Sequence, residues 1–226
     1  MPSFVSPHPD DYKQSPSIDE IAPMFDSLRS TFAKREIYFH EDDHCQQELL
    51  PREALAFVET QIKKIGEFAA AHRAPDGTGW TDMYLRPQPP ATFRTFAMTK
   101  NDFDALISPH LPPFDLVYTG YSSYRERCRN TAAWGTSPHN AIFVDWDDEG
   151  IICNIWTQFF ESDEKSLLAA SKAVAALGTL HSLIYVDWAW GYACEVTNEE
   201  AFASRLRDKL EDIRESTKIP EGRPNA

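Results

Sequence analysis

Two stretches of this chain repeat one pattern: Ile142-Phe143-Val144-Asp145-Trp146 and Ile184-Tyr185-Val186-Asp187-Trp188. Each alternates with the period of two that a half-buried β-strand demands, and puts its Asp on the face opposite Val and Trp. The first runs into Asp147-Asp148-Glu149-Gly150 and then into a second apolar run over 151–160. Charged residues ending in Gly between two such runs predict a short hairpin loop, with Gly150 taking the left-handed position. These stretches fix the middle of the chain as antiparallel sheet.

Helical patterns stand on either side of it. Ser17-Ile18-Asp19-Glu20 is a capping-box sequence, and Ile21, Phe25, Leu28 and Phe32 follow at helical spacing, predicting a helix over 18–33. Pro51 suits a first helical turn, and Leu55, Val58, Ile62, Ile65 and Phe68 make one apolar stripe. Pro75-Asp76-Gly77 stops it. Ser162-Asp163-Glu164 opens a helix through Leu167, Leu168, Val174 and Leu177, with Gly178 as a left-handed stop. Thr197 or Asn198 opens a last helix on Phe202, Leu206, Leu210 and Ile213.

The remaining segments read as strands or connections. Residues 36–40 form a short strand or a turn. Residues 92–98 read as a strand, Thr99 with Asp102 opens a short helix carrying Phe103, Leu106 and Ile107, residues 116–129 read as a long strand bent at Gly120, and 181–194 as the last strand. The fold class is therefore α+β: a central, mostly antiparallel sheet with an N-terminal helical layer and C-terminal helices packed on it. The organisation is a Pro- and Ser-rich leader over 1–16, a helical part over 17–90, an α+β core over 91–216 and a tail over 217–226, in one domain overall.

Charge narrows the partners. The 226 residues hold 35 Asp and Glu against 22 Lys and Arg, a formal charge of −13. Such a surface repels phosphate backbones and anionic lipids, which argues against nucleic acid and membranes as partners. No apolar run approaches the length needed to span a bilayer, and the Met1–Pro9 stretch has neither a basic region nor a signal-length apolar run. Four scattered cysteines without a CxxC pair read as free thiols. Together these predict a cytoplasmic protein.

Several constellations resemble chemistry. His40-Glu41-Asp42-Asp43-His44 matches HExxH, which needs both imidazoles on one helix face with Glu as base. The two central aspartates disfavour that helix, and the extensions of the known zinc-protease classes are missing: Gln47 stands where a glycine is needed, Leu50 where a third histidine is, and Lys63 and Lys64 where a distant Glu is. The segment therefore reads as a solvated acidic loop without metal, the alternative being a site on His40, Glu41 and His44, or an incidental one with Cys45. Asp145 to Gly150 mimics half a calcium loop, but its twelfth position is Trp156 rather than Glu. Arg125, Arg127 and Arg129 alternate along the predicted long strand and offset neighbouring acids, with Asp115 or the hairpin acids as partners. Asp145 and Asp187, if paired in space, would make a carboxylate dyad for a hydrolase. No P-loop, GxGxxG, GxSxG or zinc CxxC pair is present, and no catalytic residue or cofactor is assigned.

The acidic α+β pattern, the Phe143-Val144-Asp145-Trp146-Asp147 hairpin and the helix running into Leu183-Ile184-Tyr185-Val186-Asp187-Trp188 resemble the immunity proteins of bacterial toxin–immunity systems, including those of type VI secretion effectors. The resemblance spans about residues 92–214. It implies a non-catalytic inhibitor that masks one cognate toxin, with a basic nuclease as the target that charge favours. The surface expected to bind it comprises Asp145, Trp146, Asp147, Asp148, Glu149, Asp187, Trp188 and Trp190: aromatic anchors inside an acidic rim. Replacing Asp147 and Glu149 with Lys is expected to slow association with little loss of folding.

Overall fold

A computed structural model describes residues 34–120, 124–160, 163–196 and 198–216. The leader, the helix expected over 18–33, the cap positions Ser162 and Thr197, and the tail over 217–226 lie outside the described residues. The elements are β1 (Glu36–Phe39), β2 (Gln47–Pro51), α1 (Leu55–Ala71), α2 (Lys100–Ile107), β3 (Leu116–Thr119), β4 (Glu126–Arg127), β5 (Thr131–Ser137), β6 (Asn140–Trp146), β7 (Ile152–Phe159), α3 (Glu164–Leu180), β8 (Leu183–Asp187), β9 (Tyr192–Val196) and α4 (Glu199–Ser216).

Six strands make the main sheet in the order β5-β6-β7-β2-β8-β9, every neighbouring pair antiparallel. A second sheet, β1-β3-β4, has a parallel β1–β3 pair. The α+β class is as the sequence predicts. Because side chains alternate along each strand, the main sheet has two faces with different covers. On one face Leu49, Ile142, Val144, Ile155, Leu183 and Tyr185 pack against Phe103 and Ile107 of α2, Leu167 and Val174 of α3, and Phe202 and Leu206 of α4. The other face has two separate covers. Phe143 and Trp156 lie under Ile37, Phe39 and Val117 of the small sheet, while Leu50, Ile184, Val186 and Trp188 lie under Val58 of α1. A polar seam runs between these two apolar patches.

The helices start where local chemistry satisfies their first amides. Thr99 and Asp102 form a reciprocal capping box on α2. Asp163 accepts from Ser166 N at 3.0 Å, and Asn198 accepts from Ala201 N at 2.8 Å. Gly178 does not end α3, which continues to Leu180. Its role is close approach: a Cβ there would meet Val196 Cγ1 of β9 at 3.1 Å.

Several expectations are corrected. The 92–98 segment is a 3-10 turn, Phe93–Phe96, closed by Ala97 at φ 51°, because Phe93 and Phe96 meet edge to face at 5.5 Å. The long strand over 116–129 is instead a reversal, with β3 pairing to β4 beyond Gly120 at φ 113°. The last strand is likewise two, β8 and β9. Pro51 ends β2 rather than beginning the helix; a 3-10 turn over Arg52–Ala54 intervenes before α1. The 17–90 part contributes more than helix, since β2 lies inside the main sheet between β7 and β8. The loop after β6 does close on Gly150, at φ 79°, as predicted.

Candidate functional site

The polar seam gathers its residues from distant parts of the chain. The 40–46 connection between β1 and β2 crosses the sheet face, with Glu41–Asp43 in a single 3-10 turn. His40 is its cap, Nδ1 accepting from Asp42 N at 3.2 Å. The α-helix that HExxH requires is not formed, so His40, Glu41 and His44 make no one-faced metal triad. His44 turns onto the sheet, stacked against Phe39 and edge-on to Trp156. Its Nε2 lies 3.0 Å from Asp145 Oδ2 of β6 and 3.6 Å from Cys45 Sγ. Thr131 of β5 donates to the other Asp145 oxygen at 2.7 Å.

Beside this trio, Glu48 of β2 is 6 % exposed and accepts from Trp188 Nε1 at 2.6 Å. Arg86 Nη2 lies 3.3 Å from both Glu48 Oε1 and the Cys45 carbonyl. Burial raises the Glu48 carboxyl above its ordinary value, against the opposing pull of Arg86 and the Trp188 hydrogen bond. Burial also pushes the Cys45 thiol far up, with Glu48 and Asp145 adding to it, so Cys45 stays protonated at neutral pH and is no ready nucleophile. His44 offers the same Nε2 to both Cys45 and Asp145, which is not the two-nitrogen relay of a nucleophilic triad. A cleft of about 240 Å³ opens on this group, lined also by Cys153 and Asn154.

The condition for a carboxylate dyad, that Asp145 and Asp187 be paired in space, is not met. Asp145 on β6 and Asp187 on β8 are three strand spacings apart, about 14 Å at the usual interval. They also sit on opposite faces, since Asp145 shares a face with Phe143 while Asp187 follows Tyr185 on the other. Asp187 is fully buried, ion-paired to Lys209 of α4 at 2.5 Å, and its Oδ1 accepts from Trp190 N at 3.1 Å. Burial lowers the Lys209 ammonium below its ordinary value, opposed by Asp187. Trp188 is 4 % exposed. Neither Asp187 nor Trp188 is available as a surface contact.

The expected binding surface is therefore divided. Adjacent strands alternate in direction, so the loop after β6 and the β8–β9 turn leave opposite ends of the sheet. At the first end Asp147 is structural: Oδ1 accepts from Glu149 N and Ile151 N, both at 3.0 Å, and Oδ2 pairs with Arg94 at 2.7 Å. A lysine at 147 would undo the turn, which corrects the expectation of little folding loss. With Asp145 turned to His44 and Asp147 to Arg94, no calcium loop forms. Trp146 packs half-buried on the helical-face core, leaving Asp148 and Glu149 exposed. The arginine row is not one strand face either; only Arg127 lies in a strand, and Asp115 accepts from Arg35 N at 2.7 Å.

At the second end Trp190 is 46 % exposed, beside a groove of about 580 Å³ lined by Ile65 and Phe68 of α1, by Trp188 and Ala189, and by the 80–86 segment. Tyr84 ties that segment to α1, donating to Gln61 at 2.7 Å. Trp80, Met83 and Leu85 stand out from it at 61, 76 and 82 % exposure. Sequence reasoning passed over these three because they follow the Pro75-Asp76-Gly77 stop without periodicity. It also passed over Glu48, Arg86 and Lys209, whose partners come from elsewhere in the chain.

No helix among the described residues is long and apolar enough to cross a membrane. No protein-family model, curated protein or solved structure matches the chain.

Proposed function

We propose that this chain is a non-catalytic binding protein, an immunity protein that neutralises a cognate bacterial toxin in the cytoplasm, and that it docks through the groove between α1, the 80–86 segment and the β8–β9 turn. The observation that carries this reading is the exposure of Trp80, Met83 and Leu85 together on the rim of one groove, with Trp190 in the adjoining turn. Large apolar side chains held in the open on one surface characterise partner sites, and aromatic residues dominate the energy of such sites. The formal charge of −13 suits a basic partner such as a nuclease, whose own site must be cationic to hold phosphate. Asp148 and Glu149, at the far end of the sheet, add to the attracting field rather than to the contact.

The test is co-expression with a toxin encoded by a neighbouring gene. The wild-type chain restores growth and binds the toxin stoichiometrically, while Trp80→Ala combined with Leu85→Ala weakens binding by more than about tenfold with an unchanged circular dichroism spectrum. Full rescue by the double variant at unchanged affinity would remove the groove from the interface, and failure of the wild type to rescue would remove the toxin reading.

A further inference from the structure

We infer that His44, Cys45 and Asp145 form a binding site for one divalent transition-metal ion of the zinc class. Their donor atoms, an imidazole nitrogen, a cysteine sulfur that gives up its proton to solvent as the ion binds, and a carboxylate oxygen, all lie within 4.8 Å of one another. Around a tetrahedral zinc ion, nitrogen and oxygen ligands stand about 3.3 Å apart, and nitrogen and sulfur about 3.6 Å, given the usual bond lengths. The His44–Asp145 and His44–Cys45 separations are 3.0 and 3.6 Å. The carboxylate needs to move only a few tenths of an ångström relative to His44, while Cys45 Sγ and the Asp145 oxygen, within 4.8 Å of each other, close toward about 3.6 Å as the ion draws them in.

The set is built rather than incidental. Asp145 comes from the main sheet, and its second oxygen is fixed by Thr131, which leaves Oδ2 aimed at His44. His44 is packed between the rings of Phe39 and Trp156, which restrict how its imidazole can turn. Cys45 holds φ at 55°, unusual for a side chain with a Cβ, and its sulfur lies 3.6 Å from its neighbour's imidazole. His44 is 44 % and Asp145 19 % exposed, so an ion reaches them from solvent. Sulfur and nitrogen donors favour zinc or cobalt over magnesium or calcium. His44 and Cys45 line the 240 Å³ cleft, and three protein ligands leave the fourth coordination position to water. The ion pins the 40–46 connection to β6, joining the small sheet's end of the chain to the main sheet.

The experiment titrates cobalt(II) into the tag-free, chelator-treated full chain, followed by zinc(II) or magnesium(II) as competitor. One equivalent of cobalt develops thiolate-to-metal charge-transfer absorption; zinc abolishes it and magnesium does not. Cys45→Ser loses the absorption with an unchanged circular dichroism spectrum, and Asp145→Asn weakens cobalt affinity by more than about tenfold. Glu41→Gln and Cys153→Ser keep the absorption. Absence of the band in the wild type, its survival in Cys45→Ser, or its loss in Glu41→Gln would each overturn the assignment. Metal binding is read without any toxin, so this result stands or falls apart from the docking groove.

Discussion

Arg86 lies over the indole of Trp188, its guanidinium carbon 4.1 Å from the ring centroid, while both side chains reach the same carboxylate, Glu48. The three make a closed unit in which the cation, the ring and the buried acid each satisfy the other two. Arg86→Ala leaves Glu48 without its cation, and we expect a loss of about 3 kcal/mol in urea unfolding. Arg86→Ala combined with Glu48→Gln is expected to regain more than half of that. Equal stability of the single and double variants would assign the loss to ring packing instead of charge.

Glu48 also dictates a pH dependence. Its folded carboxyl titrates above the ordinary value of 4.5, so the fold favours the protonated form. Its contribution is fully present below about pH 4.5 and is lost as pH rises through the raised folded value. Glu48→Gln cannot titrate. The stability of wild type minus that of Glu48→Gln is therefore expected to fall as pH rises from about 4 to 8, read as urea midpoints. A difference that stays flat, or grows, contradicts the burial account.

On the other face of the sheet, Lys209 and Asp187 are both buried and, among the described residues, pair with each other and with polar neighbours, Tyr185 OH at 2.9 Å from Nζ among them. Lys209→Met strands the Asp187 charge and is expected to cost about 3–5 kcal/mol. Adding Asp187→Asn is expected to recover part of this, because the amide oxygen still accepts from Trp190 N while the charge is gone. Chemical unfolding of both variants measures it.

Two glycines differ in what they tolerate. A Cβ on Gly135 would press on the Asn140 carbonyl and on Ala141, both in the paired strand β6, and backbone cannot move aside cheaply. Gly135→Ala is expected to cost at least about 1–3 kcal/mol. At Gly150 nothing lies within 4 Å, so Gly150→Ala costs only the left-handed backbone, about 1 kcal/mol. Thermal melting of the pair should show the larger drop for Gly135→Ala; the reverse order would contradict the packing described for β5 and β6.

What the sequence revealed follows from how local the signal is. The loop closing on Gly150, the stripe of α1 and the helices through Leu167 and Leu206 depend on spacing within one element, and spacing can be read directly. β2 was invisible because Gln47 and Glu48 look like surface residues. They are interior only because Gln47 accepts from Phe159 N and Thr157, and Glu48 from Trp188, all supplied from far along the chain. β5 was missed because Thr131-Ala132-Ala133 carries little apolar bulk. The adjacent His44 and Cys45 could be seen as metal-binding types, but Asp145 reaches them only through the crossing of the 40–46 connection over the sheet. The acidic and aromatic residues at 145–149 and 187–190 looked like one surface because sequence carries no record of strand direction.

The place of β2 between β7 and β8 also makes the main sheet depend on pairings distant in sequence. Synthesis delivers residues 47–51 roughly a hundred residues before either neighbour exists, and such distant pairings form slowly. The β5–β6–β7 meander and the β8–β9 hairpin each close locally, yet they share no ladder with one another. The first-made strand of the main sheet is thus the one that joins its two locally closed parts, and the sheet is complete only when both of β2's long-range ladders have formed.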